Sequence, residues 1–353
     1  MKKLNVGMVG YGISAKVYHI PFVTTIEGFT LTSIVERSGN QVQQNFSSVK
    51  TVRSIDDLLA DKDIDLVVVT TPNETHFPFA VKCIEAGKHV VIEKPVTITS
   101  AEAMTLVNMA KGCSTVVSVY QNRRYVSDFL TIKEILDKQL LGDVHEFEAH
   151  YDRYRAEARP KAWREALVPG SGILYDLGPH VIDQALMLFG LPAAITADIR
   201  LQRPHARVDD FFNIWLHYDF GKVILHAGML IREPGPRYMV HGSKGSFIKY
   251  GEDVQEAKLR AGKLPASADW GKEPESSFGL LHTEENGMVI KRNYPSLEGN
   301  YGSFYVNLYN TIMAGEPQKE KPEHGYNTIR IIELAFESSK KKCTLDCTHL
   351  LDV

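Results

Sequence analysis

The sequence predicts an α/β domain with a parallel sheet, followed by an α+β domain with a large, mostly antiparallel sheet. Three observations carry this prediction. Short apolar strands alternate with helices up to about residue 120, longer strands joined by tight turns follow, and 353 residues exceed the usual size of one hydrophobic core. We therefore expect an N-terminal domain over residues 1–121 and a C-terminal domain over residues 122–353.

The strands of the N-terminal domain are apolar on both faces, as strands buried between two layers of helices are. They are predicted at Asn5–Gly10, Phe29–Val35, Asp65–Thr70, His89–Glu93 and Thr115–Tyr120. The helices between them are predicted at Ser14–Thr24, Ile55–Ala60 (capped by Ser54), Phe77–Ala86 and Ser100–Lys111. This alternation is typical of βαβ units and hence of a parallel sheet.

The C-terminal domain shows apolar residues at every second position, which indicates strands with one buried face. A helix at Asp128–Lys138 precedes strands at Val144–Tyr154, Ala194–Gln202, Phe211–Phe220, Lys222–Ile231, Arg237–His241 and Ser246–Tyr250. Phe220–Lys222 and Gly242–Gly245 are typical of hairpin turns, so neighbouring strands should run antiparallel. The stretch Lys258–Ser277, rich in Gly, Pro, Ser and charge, is predicted as an excursion loop.

Composition narrows the class of function. With 44% hydrophobic and 24% charged residues and a net charge of −3, the chain lacks the basic surface that nucleic acid or anionic lipid requires. No apolar run reaches the ~18 residues of a membrane span and no signal peptide is visible, so a soluble, cytoplasmic protein is expected. The four cysteines are scattered, which predicts reduced thiols and no metal site. A small-molecule substrate is the remaining expectation.

A glycine-rich loop follows the first strand. Residues Gly10-Tyr11-Gly12-Ile13-Ser14-Ala15 fit G-x-G-x-x-G/A between a strand and a helix, the context that this motif requires. Gly10 permits a tight turn, Gly12 lets the backbone approach a pyrophosphate, and the helix start favours negative charge. The loop therefore predicts a dinucleotide-binding Rossmann domain.

The end of the second strand bears on the choice of cofactor. Glu36 stands about 20 residues after the loop, where an acidic residue accepts the adenosine ribose hydroxyls. A carboxylate there repels a 2′-phosphate, which favours NAD slightly over NADP. The neighbouring Arg37 is able to bind such a phosphate and leaves NADP open.

Two further motifs suggest catalysis. Lys94 follows the strand that ends at Glu93 and precedes Pro95, which holds it out of helical conformation at the strand end where doubly wound sheets bind ligands. Asp176 and His180 lie four positions apart, with Pro179 predicted in the first turn of an apolar helix over Val181–Phe189. The helix dipole would then lower the pKa of His180 and suit it to act as a general base.

These motifs together resemble the Gfo/Idh/MocA oxidoreductases, and the resemblance covers nearly the whole chain. The shared features are the Gly10 loop, Thr71-Pro72-Asn73 with His76, the segment ending in Glu93-Lys94-Pro95, and Asp176 with His180. Residues 120–124, 172–180 and 241–246 resemble the bacterial branch that contains scyllo-inositol dehydrogenases. Glu36 is a departure from that branch.

The resemblance implies a role for each matched residue. Lys94 would donate a hydrogen bond to the reacting oxygen, His180 would be the acid/base, and Asp176 its partner. Glu93 would shape the nicotinamide pocket, the Lys94–Pro95 peptide would be cis, and Asn122 would contact substrate. The residues that would bind the cofactor, besides Glu36, Arg37, Glu93 and Lys94, are Gly10, Tyr11, Gly12, Ile13, Ser14, Thr71, Pro72, Asn73 and His76. Further candidate substrate contacts, chosen because polyol sites mix donors with aromatic rings, are Tyr154, Arg155 and Trp163.

The function predicted is hydride transfer between a nicotinamide cofactor and a secondary alcohol of a cyclic polyol or sugar bound between the domains. Two alternatives stay open: a glycoside hydrolase that uses NAD transiently, and a non-catalytic regulator that senses sugar or nucleotide. The broad sheet face and the resemblance both predict a homodimer or homotetramer.

Overall fold

The computed structural model describes residues 2–158 and 163–353. It separates into two compact units. The first comprises Met1–Asn122, Gln255–Trp270 and Asn300–Tyr326, and the second comprises Arg123–Val254, Gly271–Gly299 and Asn327–Val353. Two segments from the C-terminal part of the chain therefore complete the first unit.

The first unit contains a six-stranded parallel sheet in the order β3-β2-β1-β4-β5-β6, which is the Rossmann order. Its strands are β1 (Leu4–Val9), β2 (Phe29–Val35), β3 (Lys50–Val52), β4 (Leu66–Val69), β5 (His89–Ile92) and β6 (Val117–Val119). The strand order reverses between β1 and β4, and this switch point is where such sheets bind ligands. The predicted α/β Rossmann class is confirmed.

The N-terminal helices of this unit are α1 (Ile20–Thr25), α2 (Gln41–Asn45), α3 (Ile55–Leu59), α4 (His76–Glu85) and α5 (Ser100–Lys111). Ser54 caps α3 as predicted, in a capping box with Asp57. One difference concerns the helix after β1, because Ala15–His19 is a π-helical segment that runs directly into α1. Pro21 has no N–H to donate to the preceding turn, which favours this widened geometry.

The second unit is built on a nine-stranded sheet in the order β14-β13-β12-β11-β7-β10-β9-β8-β15. The strands are β7 (Val144–His150), β8 (Ala194–Arg200), β9 (Phe211–Tyr218), β10 (Gly221–Gly228), β11 (Tyr238–Gly242), β12 (Gly245–Lys249), β13 (Gly279–Glu285), β14 (Met288–Tyr294) and β15 (Leu345–Asp346). All pairs are antiparallel except β7 with β10. The predicted α+β class and both predicted hairpins are confirmed.

The remaining helices are α6 (Ser127–Asp137), α7 (Ile173–Phe189), α8 (Val254–Arg260), α9 (Gly302–Ala314) and α10 (Pro322–Lys341). Short 3₁₀ turns lie at Asn73–Thr75, Asn122–Tyr125, Trp163–Glu165 and Glu275–Ser277. Helix α8 runs into the region predicted as the loop Lys258–Ser277, so that prediction was wrong at its start. In the described part of the chain no helix is both long and apolar enough to span a bilayer.

Helix α7 corrects the prediction made for His180. The helix begins at Ile173, seven residues before His180, so Pro179 and His180 lie in its interior and not in its first turn. The sequence prediction placed the start of this helix at Gly178-Pro179 because both residues disfavour the interior of a helix. Burial of the apolar face of α7, including Leu174, outweighs that penalty. Because His180 lies in the interior of α7, the argument that the helix dipole lowers its pKa does not hold.

The start of α7 is held by Asp209. Its backbone carbonyl accepts from Ile173 N at 2.9 Å, and its Oδ2 accepts from Leu174 N at 2.7 Å. Gly172 precedes the helix with φ of +96°, and a Cβ at that position would collide with the Asp209 carboxylate. Burial raises the pKa of Asp209 to about 6, against the opposing hydrogen bond from Leu174. Because this pKa lies above the unfolded value, ionisation of Asp209 reduces stability as pH rises towards about 6.

We predict that Asp209→Ala lowers the free energy of unfolding by about 1–2 kcal/mol, since the first turn of α7 loses its acceptor. Asp209→Asn keeps an acceptor oxygen and removes a buried charge, so at pH 7 it should not lower that free energy. Urea denaturation followed by circular dichroism measures both. An equal loss in the two variants would contradict the capping role.

Candidate active site

The predicted site residues lie in two groups, one in each unit. In the first unit the glycine loop leaves β1 at the switch point. Gly10 has φ of +105°, and a Cβ there would lie 3.1 Å from Thr70 Oγ1. A Cβ at Gly12 would have no heavy atom within 4 Å, so the loop presents an open backbone surface. This surface and the helical run that begins at residue 13 fit the pyrophosphate of a dinucleotide.

The side chains of the glycine loop have different surroundings. Ile13 is 65% exposed. The hydroxyl of Tyr11 accepts from Asn45 Nδ2 at 2.8 Å, and the Lys16 ammonium lies 4.2 Å from the centre of the Tyr11 ring. Tyr11 thereby links the loop to α2.

Glu36 is buried, and its carboxylate is occupied by backbone amides. One oxygen accepts from Gln41 N at 3.0 Å and the other from Val42 N at 3.2 Å, which holds the start of α2. Arg37, the next residue, is exposed at the strand end. The carboxylate predicted to bind the ribose is thus engaged within the protein.

Glu93 connects the glycine loop to the end of β5. One carboxylate oxygen accepts from the Ser14 hydroxyl and lies 2.9 Å from His19 Nε2, while the other accepts from the backbone N of Lys94 at 2.9 Å. His19 Nδ1 lies 2.6 Å from the hydroxyl of Tyr305. Burial opposes ionisation of Glu93, but contacts with His19, Ser14 and Lys94 outweigh it and lower its pKa to about 2. The loop and the strand end that carries Lys94 are therefore joined through one buried carboxylate.

The buried side chain of His76 fixes the position of the loop after β4. The His76 ring is buried, with Nδ1 2.7 Å from the Pro95 carbonyl and Nε2 2.9 Å from the Thr71 carbonyl. Burial is the main influence and lowers the pKa of His76, so the neutral ring donates to one carbonyl at a time. His76 holds the two loops in place, and Asn73 is buried beside it in a 3₁₀ turn that follows Pro72.

Lys94 follows directly after this network, and the Lys94–Pro95 peptide is cis, as predicted. Its side chain is half-buried. Asn122 is buried at the start of the 3₁₀ turn Asn122–Tyr125.

In the second unit, α7 carries Asp176 in its first turn and His180 one turn later. Residues four apart lie on the same face of a helix, as the prediction required. Asp176 Oδ1 accepts from Arg164 Nε at 3.1 Å. His180 is buried, and its ring is nearly parallel to that of Tyr151, at a centroid distance of 6.4 Å.

Tyr151 is a candidate that the sequence did not single out. The Arg237 guanidinium stacks on its ring. Within residues 2–158 and 163–353 its buried hydroxyl has no hydrogen-bond partner. The one available signal was its position within the predicted strand Val144–Tyr154, which does not distinguish it from other aromatic residues. His19 and Asp209 were also missed, because their partners lie far away along the chain.

The weaker substrate candidates lie on more exposed surface. The Tyr154 ring is 44% exposed, and Arg232 lies over it. Arg155 is exposed and donates its backbone N to the Met229 carbonyl at 2.8 Å. The side chain of Trp163 lies outside the described part of the chain.

We predict that Glu93→Gln lowers the free energy of unfolding at pH 7 by about 3 kcal/mol, because a buried ionised partner of His19 is lost. The pKa of Glu93 lies below its unfolded value, so its contribution is complete above about pH 4.5 and declines as pH falls towards 2. The wild type should therefore lose its advantage over the variant in that range, as measured by denaturation at several pH values. Glu74→Gln, at an exposed site nearby, is the matched control. A stability difference that does not depend on pH would contradict an ionised Glu93.

Comparison with known proteins places the chain in a family. A model described as the NAD-binding Rossmann fold of an oxidoreductase family matches residues 4–121. A model of the C-terminal alpha/beta domain of the same family matches residues 133–346. Both models belong to the Gfo/Idh/MocA group.

Individual relatives are similar to this chain over almost the full length of both sequences. The scyllo-inositol 2-dehydrogenase (NADP(+)) IolW of Bacillus subtilis is 40% identical over 98% of this chain and 96% of its own. The uncharacterised oxidoreductase YdgJ of Escherichia coli is 40% identical over 97% of this chain and 98% of its own. The solved structure of yvaA from Bacillus subtilis, 39% identical, covers 99% of both chains with a TM-score of 0.94. The chain belongs to the Gfo/Idh/MocA family of nicotinamide-dependent oxidoreductases.

Proposed function

We propose that the protein is a dehydrogenase that oxidises a secondary alcohol of a cyclic polyol or sugar, with scyllo-inositol as the first substrate to test. The observation that carries the proposal is the Glu93 network, which joins the dinucleotide loop to the strand end bearing Lys94. A binding module would not require a lysine beside the cofactor loop. The substrate class is supported by the name of the relative IolW.

The glycine loop Gly10–Ala15 would hold the nicotinamide dinucleotide, which would supply the hydride acceptor for the reaction. Lys94 donates a hydrogen bond to the reacting oxygen and stabilises the negative charge that develops there; such preorganised charge contributes several kcal/mol. His180 receives the proton of the hydroxyl, and Asp176, on the same face of α7, stabilises the protonated ring. In the reverse direction His180 returns this proton to the alcohol.

We further propose that the cofactor is NADP. The Glu36 carboxylate accepts two backbone N–H groups of α2, which reduces its ability to accept ribose hydroxyls. Arg37 is exposed next to it and offers a guanidinium for a 2′-phosphate. The sequence alone favoured NAD slightly, whereas these contacts support the proposal of NADP.

Substrate contacts are assigned by the same reasoning. Tyr151 is proposed to donate its hydroxyl to a substrate oxygen, because a buried hydroxyl normally finds a partner. Asn122 is proposed as a second contact. Tyr154, Arg155 and Trp163 remain weaker candidates. The protein is proposed to act as a homodimer or homotetramer.

We predict that Lys94→Ala and His180→Ala each reduce kcat about 10²–10⁴-fold. Affinity for the cofactor should change much less, since neither residue is assigned to the dinucleotide loop. Absorbance at 340 nm with scyllo-inositol, other inositols and aldoses measures turnover, and fluorescence titration measures cofactor binding. Lys82→Ala, on the exposed side of α4, is the control. Parallel losses of kcat and cofactor affinity would show that the assigned roles are wrong.

We predict that Arg37→Ala lowers kcat/KM for NADP⁺ by about 10–100-fold, the value of one hydrogen bond to a charged group. The kcat/KM for NAD⁺ should stay within twofold of the wild type. Lys50→Ala, an exposed residue on the neighbouring strand β3, is the matched control. If kcat/KM falls equally for NADP⁺ and NAD⁺, Arg37 does not bind the 2′-phosphate.

A further inference from the structure

A group of side chains of the types that ligate metal ions lies in the second unit, on the sheet face opposite α7. His150 ends β7 and pairs in register with His226 on the parallel strand β10. Asp152 follows two residues after His150. One donor atom from each of the three residues lies within 4.8 Å of the others. Adjacent strands of one sheet hold these residues together independently of any ligand.

The face that bears this group is established by the alternation of side chains along both strands. Phe147, Ala149, Val223 and Leu225 are fully buried on the side of α7. His150 and His226 occupy alternate positions and therefore point to the other side. Their side chains and that of Asp152 are 20%, 11% and 6% exposed, so the group is shielded but reachable by solvent.

The hydrogen bonds of His150 define which nitrogen is available. Its Nε2 lies 2.9 Å from Glu148 Oε2 and therefore carries a hydrogen. In the neutral ring Nδ1 then has a lone pair, and this atom lies 3.6 Å from Asp152 Oδ2. Two acceptors that face each other require a cation between them, either a proton or a metal. A histidine that donates its second nitrogen to a carboxylate is the usual arrangement around protein-bound zinc.

The spacing of the donor atoms fits an ion. Zinc bonds of about 2.0–2.2 Å in tetrahedral geometry place neighbouring ligand atoms about 3.3 Å apart. The distances from Asp152 oxygens to His226 Nδ1 and His150 Nδ1 are 2.8 and 3.6 Å, on either side of that value.

The local charge also favours a cation. Asp152 supplies one carboxylate to the group. Glu148 adds a second carboxylate. Lys222, on the same face of β10, is itself paired with Glu146 at 2.8 Å. Imidazole ligands select zinc-like transition metals over Mg²⁺ or Ca²⁺.

We propose that His150, Asp152 and His226 form a binding site for a zinc-class divalent cation, with water in the remaining coordination position. Glu148 orients His150 and does not bind the ion. The site is independent of the proposed dehydrogenase activity, because it uses none of the residues assigned to that reaction.

The test uses the full-length protein, stripped with a chelator and dialysed, then titrated with Zn²⁺ against a chromophoric chelator at pH 7.5. We expect one Zn²⁺ per chain, and on Co²⁺ substitution a visible absorption band of a four- or five-coordinate ion. His226→Ala and Asp152→Asn should abolish stoichiometric binding, and Glu148→Gln should weaken it about 10–100-fold. His282→Ala, an exposed histidine on β13 of the same sheet, should bind as the wild type does.

Folding of each variant is checked by its thermal transition without metal. Zn²⁺ should raise the Tm of the wild type and of His282→Ala, but not that of His226→Ala. Absence of stoichiometric binding to the wild type would overturn the proposal. So would binding that persists in both His226→Ala and Asp152→Asn, since the ion would then lie elsewhere.

Discussion

The proposed cofactor site of the first unit depends on the contacts of the buried carboxylate of Glu93. Three parts of the chain meet there: the glycine loop through Ser14, the π-helical segment through His19, and the strand end through the backbone of Lys94. Through His19 the network extends to Tyr305 on α9. A charge buried in this way is costly unless each contact is made, so it enforces one arrangement of loop, strand end and helix.

A buried carboxylate plays a comparable part in the second unit. Asp209 accepts the first N–H groups of α7, while Gly172 leaves it the space to do so. The helix that follows carries Asp176 and His180 one turn apart. In both units a carboxylate outside the proposed chemistry therefore positions the residues assigned to it. Such dependence is expected where geometry must be held within a fraction of an ångström.

The second sheet has two sides with different chemistry. One side is apolar and packs against α7, and the other carries the histidines and carboxylates of the proposed metal site. Because side chains alternate along each strand, alternate residues of the same strands β7 and β10 face the two sides. The sheet therefore supports α7 on one side and positions the proposed cation site on the other.

The sequence by itself determined the fold class. Strand and helix periodicity depends on local spacing, which is why Phe29–Val35 and Ser100–Lys111 match their predicted limits and the Gly10 loop lies between a strand and a helix. It also identified Lys94, Asp176 and His180 as candidates, since motif and spacing are local. Only the tertiary structure decided that α7 begins at Ile173, because burial outweighs the local penalties of glycine and proline. It alone paired His19 with Glu93, Gly172 with Asp209 and His150 with His226, because those contacts join residues far apart in the chain, and no local pattern encodes which distant partner a side chain meets.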